Sequence, residues 1–139
     1  MIIDAAAVVE IHDFILSKEP GLPGFCSTGT VESVLARINN KKVYEGLEDV
    51  FEIAGWYAVA IAKGHVFNDG NKRTALLSAL AYLYFEGFEV AITKELATMM
   101  EHVASGVLGV GDVANIFAST ATRIDAQSDA NYGEPNGDR

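Results

Sequence analysis

The chain has 139 residues, half of them hydrophobic, and a formal net charge of −9. That length and composition fit one globular domain with a sizeable core and exclude a fibrous or wholly disordered protein. The acidic balance excludes general nucleic-acid binding, which needs a basic face.

Met1-Ile2-Ile3-Asp4 opens the chain without the basic segment of a signal peptide. Asp4 to Lys18 reads as a first helix, with Asp4 as N-cap and Val8, Ile11 and Ile15 on one face. Pro20-Gly21-Leu22-Pro23-Gly24 ends it, because this run cannot continue a helix; it serves either as a plain connector or as the wall of a groove. The single cysteine, Cys26, cannot form an internal disulfide, fits a reducing compartment and reads as incidental. Thr30 caps a second helix through Asn39 or beyond, with Val31, Val34, Leu35 and Ile38 as its apolar stripe.

A long helix is expected to start near Leu47 and run to Lys63. Its residues Val50, Phe51, Ile53, Ala54, Tyr57, Val59, Ala60 and Ile61 leave little polar surface, so it is the expected central helix. Trp56 and Tyr57 read as core or groove aromatics. Gly64 is expected to close this helix as the residue beyond its end. After a loop, Thr74, Leu76, Leu77, Leu80, Leu83 and Tyr84 build another buried helix, stopped by Gly87. Phe88 to Ile92 is a short strand-like connector, Thr93 caps a helix to about Ser105, and a last helix covers about Asp112 to Thr122. The longest uncharged apolar runs, such as Ala54 to Ala62, fall short of the ~18 residues that span a bilayer. The expectation is an all-α domain of about five to six helices over residues 1–124, cytoplasmic and without membrane contact, followed by a polar, disordered tail over 125–139.

The chemistry concentrates in Gly64 to Thr74, between the central helix and the next. Here His65, Asp69, Asn71, Lys72 and Arg73 surround one glycine, Gly70. Glycine permits a tight backbone path, and the N–H groups that start a helix form an anion site. Lys72 and Arg73 fall in the first turn of the following helix, where the macrodipole disfavours each cation by roughly 0.3–1 kcal/mol. Cations held there imply an anion, and phosphate is the obvious one. His65 can act as a general base, since imidazole titrates near ~6.5. Asp69 can hold Mg²⁺, which takes one or two carboxylates plus phosphate oxygens. Asn71 can shape an anion cradle, and Arg73 offers a planar fork for phosphate. Each residue also has an ordinary reading: His65 as a helix end, Asp69 in an Asp-Gly turn, Asn71 as a cap and Arg73 as a solvated cation. His12 and His102 sit in plain helical pattern and take that ordinary reading. Together, within nine residues and with cations at the unfavourable end of a helix, these residues mark a site.

His65-Val-Phe-Asn-Asp-Gly-Asn-Lys-Arg73 resembles the signature of the Fic/Doc family, His-x-Phe-x-Asp/Glu-Ala/Gly-Asn-Gly/Lys-Arg. The lysine form, with Gly21-Leu22-Pro23-Gly24 and the region from Tyr44 to Glu52, is similar to the family's Doc (death-on-curing) toxin branch, and the likeness spans residues 8 to 122. The resemblance implies a compact helical Fic fold in which this loop meets ATP with Mg²⁺. It assigns His65 as base for a target hydroxyl, Asp69 as Mg²⁺ ligand, Gly70 and Asn71 as the anion-cradling turn, and Arg73 as phosphate clamp. Lys72 stands where AMP-transferring members have glycine, whereas Gly70 is shared with that branch. The branch implies a kinase that phosphorylates a threonine of elongation factor Tu, arrests translation and is neutralised by the C-terminal segment of a Phd-type antitoxin. The alternatives are a Fic-type AMP-transferase and a catalytically silent nucleotide-binding domain. The family's self-inhibitory pattern, Ser/Thr-x-x-x-Glu-Gly/Asn, fails here. Thr28 to Glu32-Ser33 misses its last position, and Glu45-Gly46 and Glu86-Gly87 lack the Ser/Thr. Control by a separate chain is therefore expected.

Overall fold

A computed structural model describes residues 3–25 and 30–124. Cys26, Thr28 and the tail expected over 125–139 lie outside these residues. Six helices account for most of the described chain: α1 Ala5–Lys18, α2 Val31–Tyr44, α3 Val50–Gly64, α4 Asn71–Phe85, α5 Lys94–Ala104 and α6 Val110–Thr120. Two-residue strands β1 Phe88–Glu89 and β2 Thr122–Arg123 pair antiparallel, Phe88 opposite Arg123 and Glu89 opposite Thr122. The domain is all-α, as its sequence pattern requires.

The caps follow local chemistry. Asp4 accepts from the Ala7 N–H, Thr30 from that of Ser33, and Thr93 from that of Leu96. The central helix starts later than the apolar run suggests. Asp49, not Leu47, marks its beginning, because the Asp49 carboxylate accepts from the N–H groups of Phe51 and Glu52. A polar cap outweighs one apolar residue in fixing a helix start. The last helix begins at Val110 rather than near Asp112, whose carboxylate instead accepts from the N–H of Gly109. Gly64 is also not the residue beyond the end of α3. It is the last helical residue, and the left-handed turn falls on His65 at φ 50°, ψ 41°.

α3 is the axis of the domain, packed chiefly against α4 and α6 and also against α2 and α5. Its buried face is Ile53, Ala54, Gly55, Tyr57, Ala58, Ile61 and Ala62. The small residues of that face let neighbouring helices come close. A Cβ on Gly55 would lie 2.9 Å from the backbone oxygen of Val110 in α6. α4 answers with Ala75, Leu76, Ala79, Tyr82 and Leu83, and the rings of Tyr57 and Tyr82 lie 5.3 Å apart between the two helices. Burial raises the hydroxyl pKa of both tyrosines, so both remain neutral in the core. Tyr57 also ties down the N-terminal segment, accepting from the Ile3 N–H at 3.2 Å.

Gly55→Ala tests the α3–α6 approach. The added methyl meets backbone that cannot rotate away, so the substitution should destabilise the fold by about 1–3 kcal/mol despite alanine's better helix propensity. Denaturant unfolding that shows an unchanged or higher midpoint would refute the close approach.

Candidate active site

Residues 65–70 leave α3 and turn into α4, and the turn is held from below by Phe67, which is 1% exposed. Asn71, the first residue of α4, reaches back to the same residue. Its Oδ1 accepts from the Phe67 N–H at 3.1 Å, and its Nδ2 donates to the Phe67 carbonyl at 2.8 Å. The side chain thus acts as a clip across the loop. It does not cap α4, the ordinary reading its position allows. The residue before it, Gly70, occupies the N-cap position at φ 82°, in the left-handed region, and has no side chain to offer.

The start of α4 is therefore left without any side-chain cap. The first bond of the helix runs from the Thr74 N–H to the Gly70 carbonyl at 2.9 Å. The N–H groups of Asn71, Lys72 and Arg73 precede it, at the end that attracts anions. Beside them opens a cavity of about 480 Å³. One wall is Glu19, Gly70, Asn71, Lys72, Arg73 and Leu76. The other, from α5 and the segment before it, is Ile92, Thr93, Lys94, Ala97, Met100 and Glu101. The volume is that of a small-molecule site, cationic at the helix end and apolar at Leu76, Ile92, Ala97 and Met100.

Of the residues singled out from sequence, Gly70, Asn71, Lys72 and Arg73 come together on this cavity. His65 and Asp69 do not line it; both are exposed on the loop beside it. Asp69 is nonetheless fixed, since its Oδ2 accepts from the Leu22 N–H at 2.8 Å. The Pro/Gly run is thus bonded to the loop, although none of residues 20–24 lines the cavity. Asn68 donates from its backbone to the Gly24 carbonyl at 3.0 Å and from Nδ2 to the Pro23 carbonyl at 2.9 Å. Among the described residues no group of three or more His, Cys, Asp or Glu side chains could hold a metal. Asp69 alone would need oxygens from a ligand to complete a cation's shell.

Three residues were not read from sequence as part of the site. Glu19 places Oε2 2.9 Å from Nη1 of Arg73, so the anion that the two cations imply is, in part, the protein's own. Lys94 carries a cation in the first turn of α5, the same unfavourable placement that marks Lys72 and Arg73, and could have been found by it. His12 stands four residues after Val8 on the buried face of α1, so its polarity on a core stripe was the available signal. It stacks on Phe67 and bonds the Asp69 carbonyl.

Asn71→Ala removes both bonds to Phe67, at a cost of about 1–3 kcal/mol for the pair. Amide exchange at Phe67 should accelerate, and Asn71→Asp, which keeps only the acceptor, should fall between. Unchanged exchange in the alanine variant would remove the clip.

A family model described as the Fic/DOC family matches residues 2–83. The chain is 41% identical over 108 residues to the protein kinase doc of Escherichia phage P1, covering 78% of this chain and 86% of that protein.

Proposed function

This chain belongs to the Fic/Doc family, and on that premise we propose that it is a Doc-type toxin. In this reading it is a protein kinase that moves the γ-phosphate of ATP to a serine or threonine hydroxyl of a cytoplasmic translation factor of the elongation factor Tu kind. The observation that carries the reading is the uncapped start of α4, with Lys72 and Arg73 in its first turn, on a cavity that also offers the apolar Leu76, Ile92, Ala97 and Met100. That combination suits a nucleotide, phosphates at one end and base at the other. The relative's name, protein kinase doc, supports phosphate as the group transferred.

His65 takes the proton of the target hydroxyl, whose oxygen forms the new bond to the γ-phosphorus as ADP departs. A side chain at a left-handed position costs more than glycine would, and that cost is reasonable where the imidazole is needed. Gly70 and Asn71 offer backbone N–H groups to the phosphates, and Arg73 clamps them. Asp69 is the residue that would hold Mg²⁺, and its chemistry fits: one carboxylate oxygen is engaged by Leu22, and phosphate oxygens would supply further ligands. When bound, Mg²⁺ neutralises charge on the phosphates. Lys72 puts an ammonium where the AMP-transferring branch has glycine, crowding the deep phosphate seat and favouring presentation of the γ-phosphate.

No membrane-crossing helix is present among the described residues. The proposed regulator is a Phd-type antitoxin, whose C-terminal segment fills a groove of the toxin as a helix. The mainly apolar groove between α1 and α4, lined by Ile3, Ala7, Glu10, Ile11, Phe14, Leu77, Ala81 and Phe85, supports this, with Phe14 and Phe85 each 60% exposed at its edge.

Label from γ-labelled ATP should reach a target protein and label from α-labelled ATP should not. His65→Ala, Arg73→Ala and Lys72→Gly should each abolish that transfer with little change in melting temperature. Transfer of the α-label would make the protein an AMP-transferase, and transfer of neither label would make it a binding domain. A second expectation follows from the ion pair at Arg73. ATP must displace Glu19, and with side chains 54% and 42% exposed the pair is worth at most about 1 kcal/mol. Glu19→Gln should therefore tighten ATP binding by up to about fivefold, as read by calorimetry. Weaker binding in that variant would show that Glu19 assists the nucleotide.

A further inference from the structure

The proposed chemistry makes no use of His12, yet this side chain touches the loop at Phe67 and at Asp69. It is 2% exposed, and its ring lies on Phe67 with centroids 3.8 Å apart and planes 9° from parallel. Its Nε2 is 2.8 Å from the carbonyl oxygen of Asp69, 57 residues away in sequence. Its Cδ2 lies 3.4 Å from where a Cβ on Gly70 would stand. A carbonyl oxygen can only accept, so Nε2 carries the proton. The bonded carbonyl belongs to the peptide that enters Gly70, the left-handed residue from which α4 departs. Asp69 is thus held at both ends, its carbonyl by His12 and its carboxylate by the N–H of Leu22.

We propose that His12 is a positioning residue for Asp69. Its Nε2–H fixes the 69–70 peptide, so that the carboxylate keeps one orientation relative to the start of α4. The ring stacked on Phe67 supplies the rigid platform, and the N–H supplies the direction. α1 thereby acts on the site through the backbone without touching a ligand. This inference rests on the reading of Asp69 as the Mg²⁺ ligand, and the experiment separates the two.

Mn²⁺ affinity is measured by electron paramagnetic resonance with β,γ-imido-ATP present, and affinity for the analogue alone by calorimetry. Asp69→Ala should lose Mn²⁺ binding; if it does not, Asp69 is not the ligand, whatever His12 does. His12→Phe keeps a ring to stack on Phe67 and removes the donor. It should weaken Mn²⁺ binding about tenfold and lower metal-free affinity for the analogue by clearly less, through the Gly70 N–H of the same peptide. His12→Gln, which restores an N–H donor, should recover much of the loss. Wild-type Mn²⁺ affinity in His12→Phe, or an equal fall in metal-free nucleotide affinity, overturns the proposal. Should His12→Phe not fold, nitrogen-15 histidine spectra of the unaltered protein decide. A slowly exchanging Nε2–H that is further protected when Mg²⁺ and the analogue are added supports the assignment, and an Nδ1–H tautomer or an Nε2–H indifferent to both ligands overturns it.

Discussion

The burial of Phe67 is the constraint on which the site depends. The loop between α3 and α4 has only a single antiparallel bridge, from Phe67 to Phe25, to fix its backbone, and the same Phe67 drives its side chain into the core. Around that ring the other restraints assemble. His12 stacks on one side, Phe25 lies 5.5 Å away, and Asn71 clips the N–H and carbonyl of the same residue. With residue 67 immobile, the chain on either side has little freedom. His65 is forced into the left-handed turn that ends α3, and Gly70 into the one that begins α4. The exposed side chains of the loop are thus carried on a backbone anchored beneath them.

Anchoring Asn71 to Phe67 has an electrostatic consequence. The side chain that could have capped α4 is used elsewhere, Gly70 has none, and the first N–H groups of α4 have no side-chain partner. Elsewhere in the fold Asp4, Thr30, Asp49 and Thr93 serve their helices as caps. α6 likewise begins at a glycine, Gly109, without a side-chain cap, but among the described helices α4 alone carries adjacent cations in its first turn. In a chain of net charge −9 that local excess of positive potential cannot come from overall composition. It comes from the missing cap and from Lys72 and Arg73, with Lys94 facing the same cavity from α5. Glu19 offsets part of it at Arg73, through an exposed pair weak enough for an incoming phosphate to replace.

Much of this was legible in the residues themselves. Asp4, Thr30 and Thr93 mark helix starts because a cap is a bond between neighbours in sequence. The apolar face of α3 and the exposed cations of α4 are likewise properties of one helix, readable from spacing. Asp49 was legible too, but the apolar Leu47 drew the expected start of α3 forward. The motif from His65 to Arg73 is contiguous, so family membership could be read from the loop before the loop had a shape.

What the sequence by itself determined, then, is what depends on residues near one another along the chain: the helices, the class of fold, and the inventory of groups at the loop. Only the tertiary structure decided how those groups are used. Glu19 reaches Arg73, Leu22 holds the Asp69 carboxylate, His12 holds its carbonyl, and α5 closes the cavity opposite α4. Each of these is a contact between segments far apart in the chain, brought together by the packing of α1, α3, α4 and α5. No local periodicity encodes which side chain of α1 will face which carbonyl of a distant loop. That is settled when the apolar faces of the helices are buried together and the polar groups between them must find partners.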